Sequence, residues 1–341
     1  MTICGKGWLL VLVSITLTIF PVQAQKKTSF QPPEYLPLPV PEKVMVPSPA
    51  KNYVPSSFES IEALASQKVV ANHITTFCNR EGTMPESCLL SYVIQELDLP
   101  TIKEAHEPVG KQNNPLNFST YGLGQGLSSL NIHNGVSDRH GNLWLSTGFG
   151  GVFRFDGQSF ANYSEQQGLS NNLVLGLLID HQERIWCGTL NGLNVLDGKQ
   201  IITFFAKDGL PGNTIFEMVE DPHGYIWVSS YEGLARIDPN TFEITKFNIH
   251  PEADYDHIFR IDLLPDSTIW IGGVQTPAFI KISGTREQPQ YELYHLQLPF
   301  KVETQGDLVF DSAGRIWMAH GNDLLQIGKE AGLHFEINRY T

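Results

Sequence analysis

The chain contains very little continuous hydrophobic sequence. One uncharged apolar run, Trp8–Phe20, is 13 residues long, whereas a membrane-spanning helix needs about 20. Lys6 precedes this run and Val22-Gln23-Ala24 follows it, which favours a cleaved signal peptide over residues 1–24; an uncleaved anchor helix is the alternative. The mature chain is therefore expected to be periplasmic or secreted.

The chain is also poor in positive charge. It holds 23 basic and 36 acidic residues, a formal net charge of −13, and residues 116–341 alone hold 14 basic and 26 acidic residues. A surface of that sign repels phosphate backbones and anionic head groups. The composition argues against a nucleic-acid partner but does not exclude a neutral ligand such as a sugar.

Cysteine is scarce, with four in the chain. Cys4 lies in the leader, and Cys187 is interpreted as a small buried hydrophobic residue. Cys78 and Cys88 flank a turn-rich stretch and are predicted to form a disulfide in an oxidising compartment. Two reduced thiols are the alternative, and a metal site is less favoured because no paired His or second Cys pair lies nearby.

Motifs of common catalytic centres are missing. The chain has no Gly-x-Ser-x-Gly elbow and no His-Glu-x-x-His sequence, and its 11 histidines are scattered. The sequence predicts no catalytic residue, no metal site and no cofactor.

What the chain does contain is a phrase, Asp-x-x-Gly-x-[Ile/Leu]-Trp, that recurs five times with one degenerate copy. The tryptophans of these phrases are 42, 41, 43 and 47 residues apart, at Trp144, Trp186, Trp227, Trp270 and Trp317. One tryptophan per period of about 40–45 residues is typical of a β-propeller. We predict an all-β propeller of about five visible four-stranded blades over residues 116–341, which closes imperfectly or lacks blades.

The second repeat illustrates the expected blade. Four strands are predicted, over residues 173–178, 184–188, 192–196 and 201–205. The tryptophan is expected to fill the gap between adjacent blades, while the Asp bonds nearby amides and the Gly takes a positive φ. A metal site at these Asp residues is less favoured, since each stands alone in its turn.

The part before the repeats divides in two. Residues 25–57 are Pro-rich and are interpreted as an extended spacer without a packed core. Residues 58–115 are predicted to form a small disulfide-stapled cap or subdomain. Within it a short helix is expected near 58–65, and residues 88–94 fit either a helix or a strand.

The repeat phrases together resemble the two-component regulator propeller repeat. Residues 168–172 and 180–205 carry the order Gly-Leu-Ser, Asp-x-x-[Gly]-x-Ile-Trp-x-Gly-Thr, Gly-Leu, Asp-Gly and Phe-Phe, and residues 138–170 repeat it. The resemblance covers residues 116–341 and implies the exported sensor region of hybrid two-component histidine kinases. No kinase phospho-acceptor helix or nucleotide-binding glycine box is present. A small-molecule or oligosaccharide ligand is implied, with a membrane sensor kinase or self-association as protein contacts.

The loops after the second strands should emerge on one rim, beside the links that contain Asn172 and Asn213. Aromatic and amide side chains meeting there would suit a saccharide or similar polar ligand; ordinary loop polarity is the alternative. The candidate rim residues are Phe149, Asn191, Tyr231, Glu232, Gln275, His320 and Asn322.

Two other functions fit a propeller. Lyases and glycosidases, including a family resembling streptogramin lyase, need an acid or base facing the axis, for which Glu232 and His320 are the candidates. A scaffold that docks other proteins is the second alternative.

Overall fold

The computed structural model is built almost wholly from antiparallel β-strands. The residues that it describes are 65–74, 87–106, 109–110, 119–247, 249, 257–264, 266–273, 278–296, 308–311, 315–320, 323–329 and 334–340. The predicted leader and Pro-rich spacer lie outside them. Within the described ranges, the only helical elements are three short 3-10 turns, and no helix is long and apolar enough to cross a bilayer.

Strands occur in two groups. Those before the repeats are β1 (Ala65–Ile74), β2 (Ser87–Leu89), β3 (Val93–Glu96), β4 (Thr101–Glu104), β5 (Val109–Gly110) and β6 (Ser119–Thr120). The first repeat holds β7 (Ile132–Ser137), β8 (Leu143–Thr147), β9 (Val152–Phe155) and β10 (Ser159–Tyr163). The second holds β11 (Val174–Ile179), β12 (Ile185–Thr189), β13 (Gly192–Asp197) and β14 (Gln200–Phe204). Its four strands start and end within one residue of the predicted bounds.

The remaining repeats have the same order. The third holds β15 (Ile215–Glu220), β16 (Ile226–Ser230), β17 (Gly233–Ile237) and β18 (Glu243–Phe247). The fourth holds β19 (Ile258–Leu263), β20 (Thr268–Gly273), β21 (Ala278–Gly284) and β22 (Pro289–Leu296). The fifth holds β23 (Leu308–Phe310), β24 (Ile316–His320), β25 (Asp323–Lys329) and β26 (His334–Tyr340). In every repeat, successive strands pair antiparallel, as expected for propeller blades.

The Asp and Trp of the repeated phrase form a hydrogen-bonded clamp. Asp180 Oδ1 accepts hydrogen bonds of 2.9 Å from the backbone amides of Gln182 and Arg184, and Oδ2 accepts one of 2.8 Å from the Trp186 indole. The same indole-to-carboxylate bond joins Trp144 to Asp138, Trp227 to Asp221 and Trp317 to Asp311. The clamp explains why the two residue types keep a fixed spacing, because one carboxylate closes the turn and orients the core indole.

In repeats one to four, the residue three positions before the tryptophan has a left-handed backbone. Gly141 and Gly224 have φ of 82° and 79° there, while Glu183 and Ser267 hold φ of 67° and 63°. A side chain disfavours this conformation and glycine tolerates it. The second and fourth repeats, which lack the glycine, therefore carry local backbone strain.

The clamp tryptophans pack between neighbouring repeats. Trp186 belongs to a buried cluster that joins Leu193 of its own repeat to Met218 of the next. Trp144 and Trp227 lie in the equivalent clusters on either side. Trp144, Trp186, Trp227 and Trp270 are buried, and Trp317 is half-buried. Face-to-face packing of this kind buries both faces of a sheet that could not bury them alone.

Four of the strands before the repeats, β1 to β4, join the sheets of the repeats, whereas β5 and β6 pair with each other. β4, β3 and β2 pair with the outer strands β10, β14 and β18 of the first, second and third repeats. β1 continues the pattern, because Ala71–Ile74 pair with β22 of the fourth repeat and Ala65–Val70 with β26 of the fifth. The segment thus runs around the outside of the array in reverse order and gives each repeat a fifth strand. We call residues 65–74 and 87–105 the belt.

Over residues 87–105, the part of the belt whose side chains the structure describes, few side chains enter the core. Leu90 is 4% exposed and lies in the cluster between the second and third repeats. Leu97 packs against the cluster between the first and second repeats, and Ala105 against the first repeat. Their backbone amides donate to the carbonyl oxygens of Phe242, Lys199 and Gln158, at 3.0, 2.7 and 2.8 Å. The belt is held by backbone pairing and by one small or apolar anchor for each of these repeats.

One sequence-based expectation for this segment was wrong, and another falls on residues outside the described ranges. The predicted Cys78–Cys88 disulfide is not supported, because Cys88 is a free, exposed thiol in β2; Cys78 lies outside the described residues. Cys88 is instead held by pairing with Ile244 on the outer strand of the third repeat. The helix expected near 58–65 falls outside the described residues except for Ala65, which begins strand β1.

Candidate functional site

In the first two repeats, the loop after the second strand meets the link to the next repeat at one end of the blade; we call this end of the blades the rim. The backbone amide of Gly151 donates to the Asn172 carbonyl at 2.9 Å, and that of Gly192 donates to the Asn213 carbonyl at 2.6 Å. These bonds place the loops of the first and second repeats against the links that follow, as the sequence predicted. The clamp turns lie at the opposite ends of the same strands.

A β-bulge recurs at the rim end of the innermost strand. The pairing of the first two strands shifts register around His133, Leu175, Phe216 and Phe259 in repeats one to four. A bulge bends its strand and redirects a side chain. The repeats therefore present one redirected side chain each at the rim end, and in the third and fourth repeats it is a phenylalanine.

Four rings assemble there into the rim aromatic cluster, which consists of Phe216, Tyr231, His257 and Phe259. Phe216 contacts Tyr231 and Phe259 edge to face, with ring centroids 4.8 Å apart in both pairs. Tyr231 also lies 5.2 Å from His257 and 5.4 Å from Phe259. All four residues are half-buried. The cluster spans the third and fourth repeats and presents aromatic surface to solvent.

Charged residues flank this cluster. Arg260, next to Phe259, pairs with Glu217 at 2.9 Å and with Asp262 at 3.4 Å. Glu232, next to Tyr231, is exposed, and its carboxylate fills the space where a Cβ at Gly212 would lie. The rim near the aromatic cluster therefore carries two carboxylates, Glu217 and Glu232, and one guanidinium. Asp262 lies toward the clamp end of β19, opposite Trp270.

The other predicted rim residues lie away from the aromatic cluster or outside the described part of the chain. Phe149 is 75% exposed and lies in the first repeat, away from the cluster's third and fourth repeats, and Asn191 is also exposed. Gln275 and Asn322 lie outside the described residues. His320 is the last residue of strand β24, not a loop residue, and its side chain is outside what the structure describes.

Two amides on the links serve the fold. Asn172 Oδ1 accepts a 2.8 Å hydrogen bond from the Glu165 amide, and Asn213 Oδ1 accepts a 2.7 Å bond from the Ala206 amide. Each side chain thereby holds the 3-10 turn that precedes its link. These amides are committed to backbone contacts, so the aromatic cluster is the stronger candidate for ligand contact.

Sequence reasoning missed Phe216, His257 and Phe259. Phe216 and Phe259 occupy the same position of their repeats, one residue after the buried Ile215 and Ile258. An aromatic residue directly following a buried isoleucine at the start of two inner strands is the pattern that could have indicated them.

The clamp end has a cation–aromatic arrangement. The Arg236 guanidinium lies 4.3 Å from the Tyr225 ring centroid and 5.2 Å from that of Tyr291. Burial raises the pKa of Tyr291 to about 12, although Arg236 opposes the shift. Arg286 also lies over Tyr225, at 5.1 Å, and pairs with Asp238. These residues join the third and fourth repeats. In the described part of the chain, no three His, Cys, Asp or Glu side chains are grouped to hold a metal ion.

Comparison with known proteins agrees with this architecture. A family model described as Two component regulator propeller matches residues 209–232, which contain the link and clamp of the third repeat. The extracellular domain of BT4673, described as a hybrid two component system of B. thetaiotaomicron, is similar at 16% identity and a TM-score of 0.50, over 81% of this chain and 43% of that chain. This likeness shows the propeller fold.

Two other solved structures are similar at lower scores. The extracellular domain of BT3049, another hybrid two component system of B. thetaiotaomicron, matches at 21% identity and a TM-score of 0.47, over 59% of this chain and 28% of that chain. A catalytically inactive virginiamycin B lyase from Staphylococcus aureus with quinupristin matches at 14% identity and a TM-score of 0.47, over 73% of this chain and 88% of that chain. The chain spans less than half the length of the two extracellular domains. No curated protein matches the sequence.

Proposed function

We propose that this chain is an extracytoplasmic sensor propeller that binds a saccharide or similar polar ligand at its rim. The observation that carries the proposal is the rim aromatic cluster of Phe216, Tyr231, His257 and Phe259. Half-buried rings that are fixed by neighbouring rings offer a rigid apolar surface with little entropy left to lose on binding.

The chemistry of the cluster suits a ring with one apolar face and polar edges. A pyranose presents C–H groups on its face and hydroxyls around its edge. The aromatic rings would cover the C–H face of the sugar, while the Tyr231 hydroxyl and neighbouring loop groups would form hydrogen bonds with the hydroxyls at its edge. Apolar walls with a few placed polar groups are the usual composition of small-molecule sites.

The sequence resemblance and the BT4673 domain support the location and the class. A propeller similar to an extracellular domain of a two-component system suggests that this chain also works outside the cytoplasm, in ligand detection. In that reading the signal would pass to a membrane sensor kinase or to a second copy of this chain.

Calorimetric titration of the purified chain with a panel of oligosaccharides tests the proposal. Tyr231→Ala should weaken binding by roughly five- to tenfold, the size of one aromatic contact. Tyr225→Ala is the matched control, because it removes the same side chain from the clamp end of the same repeat and should leave affinity unchanged. Equal loss in both variants, or no binding by any saccharide, would reject the rim site.

The same titration separates binding from turnover. A lyase or glycosidase would degrade its ligand during the experiment, and product analysis by mass spectrometry would show the cleaved species. Breakdown abolished by Glu232→Gln or His320→Ala would replace the sensor proposal with an enzymatic one.

A further inference from the structure

We infer that the rim site selects neutral or cationic saccharides and discriminates against anionic ones, such as uronates and sulfated sugars. This inference rests on the proposed function and concerns the charges that surround the same aromatic cluster. Two observations support it. The arginine beside the cluster, Arg260, is already paired with carboxylates, and the other described arginines of repeats one to four lie toward the clamp end.

Arg260 is the guanidinium closest in sequence to the cluster, and its charge is already matched. Its Nη1 lies 2.9 Å from Glu217 Oε1, and its Nε lies 3.4 Å from Asp262 Oδ2. The Glu217 side chain is only 16% exposed. An anionic ligand would have to displace a carboxylate from Arg260 and leave it partly buried without a cation, which is costly.

The net charge beside the rings is negative. Glu217 follows Phe216 in the chain and Glu232 follows Tyr231, so two carboxylates and one guanidinium lie beside the rings. Asp262 contacts the same guanidinium from the clamp end of β19. Bringing like charges together at an interface is unfavourable and so excludes partners of the wrong charge. An anion stacked on the cluster would meet this repulsion, and a neutral sugar would not.

The remaining arginines described in repeats one to four are at the clamp end or on strands leading to it. Arg139 and Arg184 belong to clamp turns. Arg236 and Arg286 lie over the Tyr225 ring. Arg154 lies opposite Trp144 in the strand register of β8 and β9. Arginine provides the forked geometry by which carboxylates and sulfates are recognised. Near the links, Lys207 lies over the Phe205 ring at 5.2 Å. The described arginines of repeats one to four other than Arg260 thus lie toward the clamp end, away from the rings.

The test uses matched pairs of oligosaccharides that differ in one carboxylate, for example galactose and galacturonic acid oligomers of equal length. Calorimetry at low salt should show the neutral member binding at least about fivefold more tightly, the size of one partly exposed charge interaction. Raising the salt to about 0.5 M should shrink this ratio, because exposed charges are screened.

Glu217→Gln supplies the residue-level test. It removes one carboxylate from Arg260, so the uronate should gain affinity several-fold while the neutral sugar changes little. Glu220→Gln is the control, since it makes the same change at the other end of the same strand, where Glu220 pairs with His181.

The outcomes are distinct. A uronate that binds more tightly than its neutral partner, with Tyr231→Ala still weakening both, overturns the charge inference and leaves the proposed function intact. A neutral preference that neither salt nor Glu217→Gln alters also overturns it. Failure of every saccharide to bind overturns the proposed function and the inference together.

Discussion

The repeats and the belt are strands of the same sheets, yet they are stabilised differently. In β12 of the second repeat every residue is buried, whereas in β3, the belt strand of the same sheet, every residue is exposed. The repeat strands are held by side chains packed between blades. The belt strands are held by backbone pairing and by isolated anchors such as Leu90. A strand can therefore belong to a blade without contributing to its core.

The largest loss of stability is expected from a substitution in one of the Asp–Trp clamps of the repeats. Trp186 is fully buried and donates to Asp180. Trp186→Ala should lower the free energy of unfolding by about 3–5 kcal/mol, because it leaves a cavity between two blades. It also removes one of the two hydrogen bonds to Asp180 Oδ2, which still accepts from Arg184 Nε at 2.7 Å. Urea denaturation measures it, and a loss below about 1 kcal/mol would contradict the packing described here.

Two adjacent belt residues sharpen the comparison. Leu90 is 4% exposed and Leu89 is 72% exposed. Leu90→Ala should cost about 2–4 kcal/mol, while the control Leu89→Ala should stay within about 0.5 kcal/mol. Equal effects in the same denaturation assay would mean that the belt does not dock through its anchors.

A smaller effect is expected from backbone strain within the repeats. Glu183 holds φ of 67° at a position where three other repeats have glycine. Glu183→Gly should raise the free energy of unfolding by about 1 kcal/mol, because the left-handed penalty is removed, and its exposed contact with Arg139 is worth little. Gly141→Ala, which introduces the same strain in the first repeat, should lower stability by a similar amount.

The smallest effect concerns pH. Burial raises the pKa of Asp138, but hydrogen bonds from Trp144, Asn142 and His140 outweigh burial and hold it below its usual value of 3.8. A depressed carboxyl pKa contributes stability that is fully present above the unfolded value and is lost as pH falls through the folded value. Stability should therefore decline below about pH 3.8, and Asp138→Asn should flatten that decline in thermal melts between about pH 2 and pH 5. An unchanged slope would remove Asp138 from the acid response.

The repeat architecture was predictable from the sequence, and the belt was not. The Asp-to-Trp phrase is local, so Asp180 and Trp186 reveal a turn, a strand and an interblade contact within seven residues. The belt strands β2, β3 and β4 are three or four residues long, and all their residues are exposed. Their pairing partners lie far away in the chain, as in the pairing of Ile94 with Ile202. No hydrophobic periodicity marks such strands, and the nearby Cys88 favoured a disulfide that the structure does not support.

The candidate site was predictable in part. Tyr231 was named as a candidate because it follows a recognisable second strand, and the structure places it in the rim aromatic cluster. Phe216 and Phe259 were missed because their exposure depends on bulges at the start of inner strands that otherwise look buried. A change of register by one residue decides which side chain faces solvent, and that change is visible only in the pairing.

Hydrogen–deuterium exchange with and without the tightest-binding neutral oligosaccharide tests the central claim most directly, because it reports the rim and the belt in one experiment. We expect ligand-dependent protection in peptides covering residues 215–217, 231–233 and 257–260, with the belt peptides of residues 87–105 unchanged. Protection confined to the belt, or to the clamp turns near Tyr225, would contradict a ligand site at the rim.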